Sequence, residues 1–356
     1  GAVGSRDWER SRLAALYALA QGDAPVVVAT ADGLMARTLP PETLRSLAIT
    51  LEVGGQAELG ALAEQLLSAG YTRCEQVEGV GQFALRGGIL EVFSPLMDQP
   101  VRCEFFDDEI DSMGAFDPGT QRRTRNVSSA RILPAAEVLP HCAPGGLPGL
   151  ADQLTALAEK LAKKQKTEAI VQTLREDAER LRSGAAPGAA DRDLAAIYPT
   201  VTAGVHYLPP DAVVFLSESG RVDERVKNTV LQQKQDVEAL LSAGVLAGEY
   251  AHLTLTAEEL YAALEDFPVI LEDSLPTSRH PLRPRGLLTM NAKQLSSYGG
   301  SLETAVTDLE HYRSSGSAVL VLCGGETRAK NLHRLLEEKG IPATLDLSGA
   351  AMPAAG

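Results

Sequence analysis

Between residues 81 and 117 apolar and polar positions alternate with a period of two, and the pattern leaves arginines and a phenylalanine on the polar side. Over residues 101–106, Val101, Cys103 and Phe105 make the apolar face, so Arg102, Glu104 and Phe106 point the other way. Phe83, Leu85, Ile89 and Phe93 read as one face, which turns Arg86 outward. An aromatic side chain bracketed by arginines is the composition of a protein-binding hot spot. It is also what an amphipathic hairpin with one incidental surface Phe would show. The pattern alone leaves both readings open.

Around this stretch the periodicity predicts α/β units. Residues 24–30 (Ala-Pro-Val-Val-Val-Ala-Thr) read as a buried strand, and Leu34, Met35 and Leu39 follow at helical spacing until Pro40-Pro41. A strand over 47–53 precedes a helix with the stripe Leu59, Leu62, Leu66 and Leu67, which stops at Gly70. Strand, helix, strand, helix is the grammar of an α/β domain. Only one helix, Trp8 to Ala20, comes before it, so a domain lacking its first part is expected. From about residue 76 the segments 83–93, 101–116 and 127–133 predict an antiparallel meander. Residues 149–183 are helical through Leu150, Leu154, Leu157, Leu161, Ile170, Leu174 and Leu181, and 183–191 form a break. A buried strand over 211–216 leads into a long helix through Val222, Val226, Val230, Val237 and Leu241. Pro276, Pro281 and Pro284 mark a linker. Beyond it come a strand over 318–322, Gly324-Gly325, and a helix over 327–339 closed by Gly340.

At 356 residues, 44% hydrophobic and 22% charged, the chain has room for two or three domains of ordinary globular composition. No run approaches the ~20 apolar residues of a membrane span, and a cytoplasmic location without membrane contact is expected. The net charge of −14 argues against a large nucleic-acid surface; the basic runs at 160–166 and at Arg122, Arg123 and Arg125 read as solvated faces. Cys74, Cys103, Cys142 and Cys323 have no C-x-x-C spacing, which favours reduced thiols over structural zinc. No G-x-x-x-x-G-K-[ST] phosphate loop occurs, and Gly79-Val-Gly81-Gln-Phe-Ala84 precedes a strand rather than a helix. The six histidines form no metal-ligand pair, no serine sits in a G-x-S-x-G elbow, and the carboxylates Asp107, Asp108, Glu109 and Asp111 read as a charged turn or strand edge. No catalytic residue, cofactor site or metal site is expected in this segment.

Gly70-Tyr71-Thr72-Arg73, Phe83-Ala-Leu-Arg86-Gly-Gly-Ile-Leu-Glu-Val-Phe93, Arg102-Cys-Glu-Phe-Phe106-Asp-Asp-Glu-Ile-Asp111, Phe116-Asp117, Thr120-Gln121-Arg122 and Leu133-Pro134-Ala135 occur in that order. This segment resembles the UvrB-homology region of the Mfd family, the bacterial transcription-repair coupling factors. Asp223-Glu-Arg225, Lys227-Asn228 and Gln235-Asp236-Val-Glu match more loosely. The resemblance implies a UvrB-like α/β domain with its first part absent (1–75 and, with a helical segment, 135–280), an inserted β-rich UvrA-binding domain (76–134) and a further α/β domain, truncated (281–356). UvrB itself has an Asp-Glu-Ser-His box for Mg-ATP where this chain reads Ser217-Glu218-Ser219-Gly220, and it has a tyrosine-rich hairpin that is missing here. The family's UvrA-docking positions fall on Arg86, Arg102 and Phe106. The resemblance therefore implies a non-catalytic adaptor that brings UvrA to stalled transcription. RNA polymerase, double-stranded DNA, ATP and Mg would belong to the full-length translocase. The alternative is a fragment of a UvrB-like damage-binding ATPase.

Overall fold

The computed structural model describes residues 3–24, 26–164, 168–185, 189–275, 277, 279–290 and 302–349. Pro25, Lys166, Pro276 and residues 186–188 of the expected break lie outside the described residues. Two units are present, 1–285 and 286–356.

The first unit opens on the helices α1 (Val3–Gln21), α2 (Ala31–Met35) and α3 (Pro41–Leu47, with its proline in the first turn). The strand expected over 24–30 does not form: Val26 is 82% and Val28 95% exposed. A valine-rich run becomes a strand only beside a hydrogen-bonding neighbour, and among the described residues none pairs with it. After β1 (Ile49–Glu52), α4 (Leu59–Ser68) starts where the Glu58 carboxylate accepts from the amides of Gly60 and Ala61 at 2.8 and 2.7 Å. It ends in a turn with Gly70 at φ +85°.

Six strands then form one sheet in chain order: β2 (Thr72–Arg73), β3 (Gln82–Arg86), β4 (Ile89–Val92), β5 (Val101–Phe106), β6 (Glu109–Phe116) and β7 (Arg123–Asn126). β2 and β3 run parallel; the rest is an antiparallel meander. The expected closing strand over 127–133 is corrected by the structure. β8 (Ser129–Ile132) leaves the meander and pairs with β1, Ile49 opposite Ile132, while Arg123–Asn126 takes the sheet edge. Ala130 and Ile132 are thereby buried with Leu51 against Leu62 and Leu66 of α4.

The turn at Gly87-Gly88 decides which side chains share a face. Arg86 pairs with Ile89, Leu85 with Leu90 and Phe83 with Val92, so partner numbers sum to an odd value and parity flips across the turn. Ile89 and Phe93 therefore lie with Arg86, and the core face is Phe83, Leu85, Leu90 and Val92, joined by Val101, Cys103 and Met113. Arg86 still points away from the core, as expected.

Next come α5 (Gly146–Lys163), α6 (Glu168–Arg182) and α7 (Leu194–Ile197), whose apolar stripes pack with Leu13, Leu16 and Tyr17 of α1. β9 (Val214–Ser217), α8 (Ser219–Ser242), α9 (Ala257–Leu264) and β10 (Val269–Glu272) complete the unit, with β9 and β10 parallel. The strand expected to be buried over 211–216 is shorter and one-sided: Leu216 is buried beneath α8 and α9, whereas Phe215 is 62% exposed. The second unit contains α10 (Leu302–Ser314) and α11 (Glu326–Glu338), joined through Val306, Leu336 and Ile341. Gly340 follows α11 at φ +72°. The strand expected over 318–322 is absent from that unit, and its Leu320 and Leu322 are exposed, again with no neighbouring strand described.

One buried acid gives the helical layer a pH dependence. Asp177 of α6 accepts from Arg192 Nε at 2.8 Å and also from Nη2, whereas Oδ2 of buried Asp193 has no partner among the described residues. Burial, reinforced by the Asp177 charge and opposed by Arg192, pushes the Asp193 carboxyl up to about 7. The folded chain binds this proton more tightly than the unfolded one. The resulting stabilisation is complete below the ordinary value of 3.8, falls as pH rises towards about 7, and is gone above it. Asp193→Asn should therefore gain about 1–3 kcal/mol on the parent protein between pH 4 and pH 8 in urea melts. Parallel pH–stability curves for the two proteins would contradict this.

Candidate functional site

On the side of the six-stranded sheet facing away from α4, the cross-strand row Ala84–Glu91–Arg102–Gly114 runs from β3 to β6, flanked by Arg86, Ile89 and Glu104. Glu91 is its centre and is almost fully buried (1% exposed). Its Oε2 accepts from Arg86 Nη2 at 3.1 Å, and its Oε1 accepts from Arg102 Nε at 2.7 Å. Arg102 Nη2 lies 2.7 Å from the same oxygen, making a charge-assisted clamp. The Arg102 guanidinium carbon sits 4.6 Å from the centre of the Phe116 ring, and Nη1 reaches the Gln121 carbonyl at 3.4 Å. Beneath it lies a small second core of Val77, Ala84, Phe93 and Phe116.

The three side chains expected to dock a partner are placed differently. Arg86 is more than half exposed; Arg102 is mostly covered, with 23% of its side chain open. Phe106 is 75% exposed at the end of β5, where strand alternation carries Phe105 to the core side with Val101 and Cys103 and leaves Phe106 outside. Asp107, directly after it, takes φ +53°, a conformation Asp tolerates in tight turns. Sequence reasoning missed Glu91, whose signal was available: a carboxylate opposite Arg102 on a face with a second arginine.

The segment Ser217-Glu218-Ser219-Gly220 joins β9 to the start of α8, with Glu218 at φ +54°. Asp273, just past β10, accepts from the Ser219 amide at 2.8 Å and from the Ser219 hydroxyl at 2.9 Å. Glu218 Oε1 accepts from the Ser274 amide and hydroxyl. An internal carboxylate thus occupies the helix N-terminus, where the amides and helix dipole favour an anion. At the turn of Gly79 and Gly81, Gln82 Oε1 accepts from the amides of Glu78 and Gly79, at 2.9 and 3.0 Å. The four cysteines are free thiols, and burial pushes the Cys103 thiol up to about 12. No described helix is long and apolar enough to cross a membrane.

Residues 49–137, which include the whole arginine face, match the UvrB interaction domain family. Along nearly its full length the chain is similar to transcription-repair coupling factors. It is 26% identical to that of Bacillus subtilis over 99% of this chain and 30% of the relative. Against the Myxococcus xanthus protein the identity is 30%, over 93% of this chain and 28% of the relative. For Staphylococcus aureus USA300 it is 25%, over 94% and 28%. The chain spans less than a third of the length of these relatives.

The two arginines differ in how much stability they should carry. Removing the Glu91 charge leaves two guanidiniums facing each other over a small core, so Glu91→Gln should cost about 2 kcal/mol in urea denaturation. Arg86, largely in solvent, should cost under about 1 kcal/mol as Arg86→Ala. A Glu91→Gln protein as stable as the parent would show that the clamp does not hold the face.

Proposed function

We propose that this chain, a relative of the transcription-repair coupling factors carrying a UvrB interaction domain, is a non-catalytic adaptor module that docks UvrA. The observation that carries the reading is an exposed Phe106 on the same sheet face as two arginines organised by a buried carboxylate, within the segment that matches the UvrB interaction domain. Phe106 would bury its ring in an apolar pocket of UvrA, and Arg86 would meet a carboxylate at the rim. Arg102 would act mainly by its position, since Glu91 and the Phe116 ring already hold its guanidinium.

The absence of catalysis is part of the same proposal. Asp273 on the first amide and hydroxyl of α8 would repel a phosphate from the place where the box of a UvrB-like ATPase would be sought. ATP, Mg, RNA polymerase and double-stranded DNA are proposed for the longer relatives as whole proteins, whose further length this chain does not span. The role would be to bring UvrA to transcription stalled at DNA damage.

Titration calorimetry against purified UvrA tests the docking. Phe106→Ala should weaken binding by about 2 kcal/mol, roughly thirtyfold, and Arg86→Ala by about 1 kcal/mol. UvrA affinity unchanged in both variants would contradict the assignment.

A further inference from the structure

Gly114 lies on the arginine face directly across from Arg102. Its backbone is not in the left-handed region, so chain conformation does not demand glycine there. The space above it does. Arg123, on the edge strand β7, lays its side chain back across β6, and a β-carbon at Gly114 would fall 1.8 Å from Arg123 Nε, 2.7 Å from Cζ and 2.8 Å from Cδ. The register shift between Ala115 and Phe116 makes this possible by pairing Arg123 with Phe116, whose ring lies under Arg102.

The arginines differ in how far a neighbour neutralises them. Arg86 and Arg102 share the single charge of Glu91, so the three groups sum to about one positive charge. Among the described residues no hydrogen bond or ion pair holds the Arg123 guanidinium, and its residue is exposed. Glu104, on the same face, is paired across the strands with Ile89 and Ser112. Arg125, whose cross-strand partner Ala115 lies opposite the core residue Val101, belongs to the other side of the sheet edge.

We infer that Arg123 is a third contact residue of the docking face, aimed at a carboxylate on the partner, and that Gly114 positions it by leaving its path open. The inference rests on the docking reading above and adds a contact that the sequence pattern had assigned to a solvated basic run. An uncommitted guanidinium gains more from a partner carboxylate than one already neutralised by Glu91.

UvrA titrations on seven variants of the chain separate the two claims. Arg123→Ala should lose about tenfold in affinity with an unchanged melting temperature, and Arg123→Lys should recover part of it. Gly114→Ala, which displaces the guanidinium without removing it, should also weaken binding, and the double variant Gly114→Ala/Arg123→Ala should be no weaker than Arg123→Ala. Arg125→Ala should bind as the parent does. If Arg86→Ala weakens UvrA binding but Arg123→Ala stays within about twofold of the parent, the inference falls and the docking reading stands. Equal losses for Arg123→Ala and Arg125→Ala would also overturn it, by showing a general effect of charge. If neither Arg86→Ala nor Phe106→Ala weakens binding, both claims fall together.

Discussion

The carboxylate of Glu91 is the constraint on which the arginine face depends. It is buried where a carboxylate is costly to desolvate, and the Arg86 and Arg102 hydrogen bonds offset that cost. In return it fixes two long, otherwise mobile side chains at defined positions on a flat sheet. An arginine that must be ordered on binding gives up rotamer entropy at that moment; one already held by Glu91 gives up less. The Phe116 ring below Arg102 and the alternation that leaves Phe106 outside complete a surface prepared before any partner arrives.

Much of the architecture could be read from the chain. The helices with clear stripes, such as Leu59–Ser68 and Gly146–Lys163, lie where the spacing places them, and the stop at Gly70 is a left-handed glycine. The expectations that failed concern strands. Residues 26–30 and 318–322 have the composition of buried strands yet stay unpaired, because a strand is defined by neighbours that composition cannot supply. The 127–133 segment was recognisable as a strand but not its partner, since pairing β8 with β1 is a long-range choice. Ile89 and Phe93 were placed on the wrong face because one tight glycine turn reverses parity.

The proposed docking face was legible only in part. Alternation turned Arg86, Arg102 and Phe106 away from the core, and the structure keeps them there. It could not reveal that Arg102 is largely covered, that Glu91 joins the two arginines, or that Arg123 crosses a strand to lie above Gly114. Each of these depends on cross-strand pairing, and the placement of Arg123 also on a register shift that no local pattern announces. Asp273 was hidden for the same reason, being 54 residues from the serine it binds.

The most direct test of the central claim is hydrogen–deuterium exchange on this chain with and without saturating UvrA. The account predicts added protection in peptides covering β4 to β7, centred on residues 86–106 and 109–126, with the α5–α6 helices unchanged. Protection confined to the helices, with the sheet exchanging as in the free chain, would contradict it.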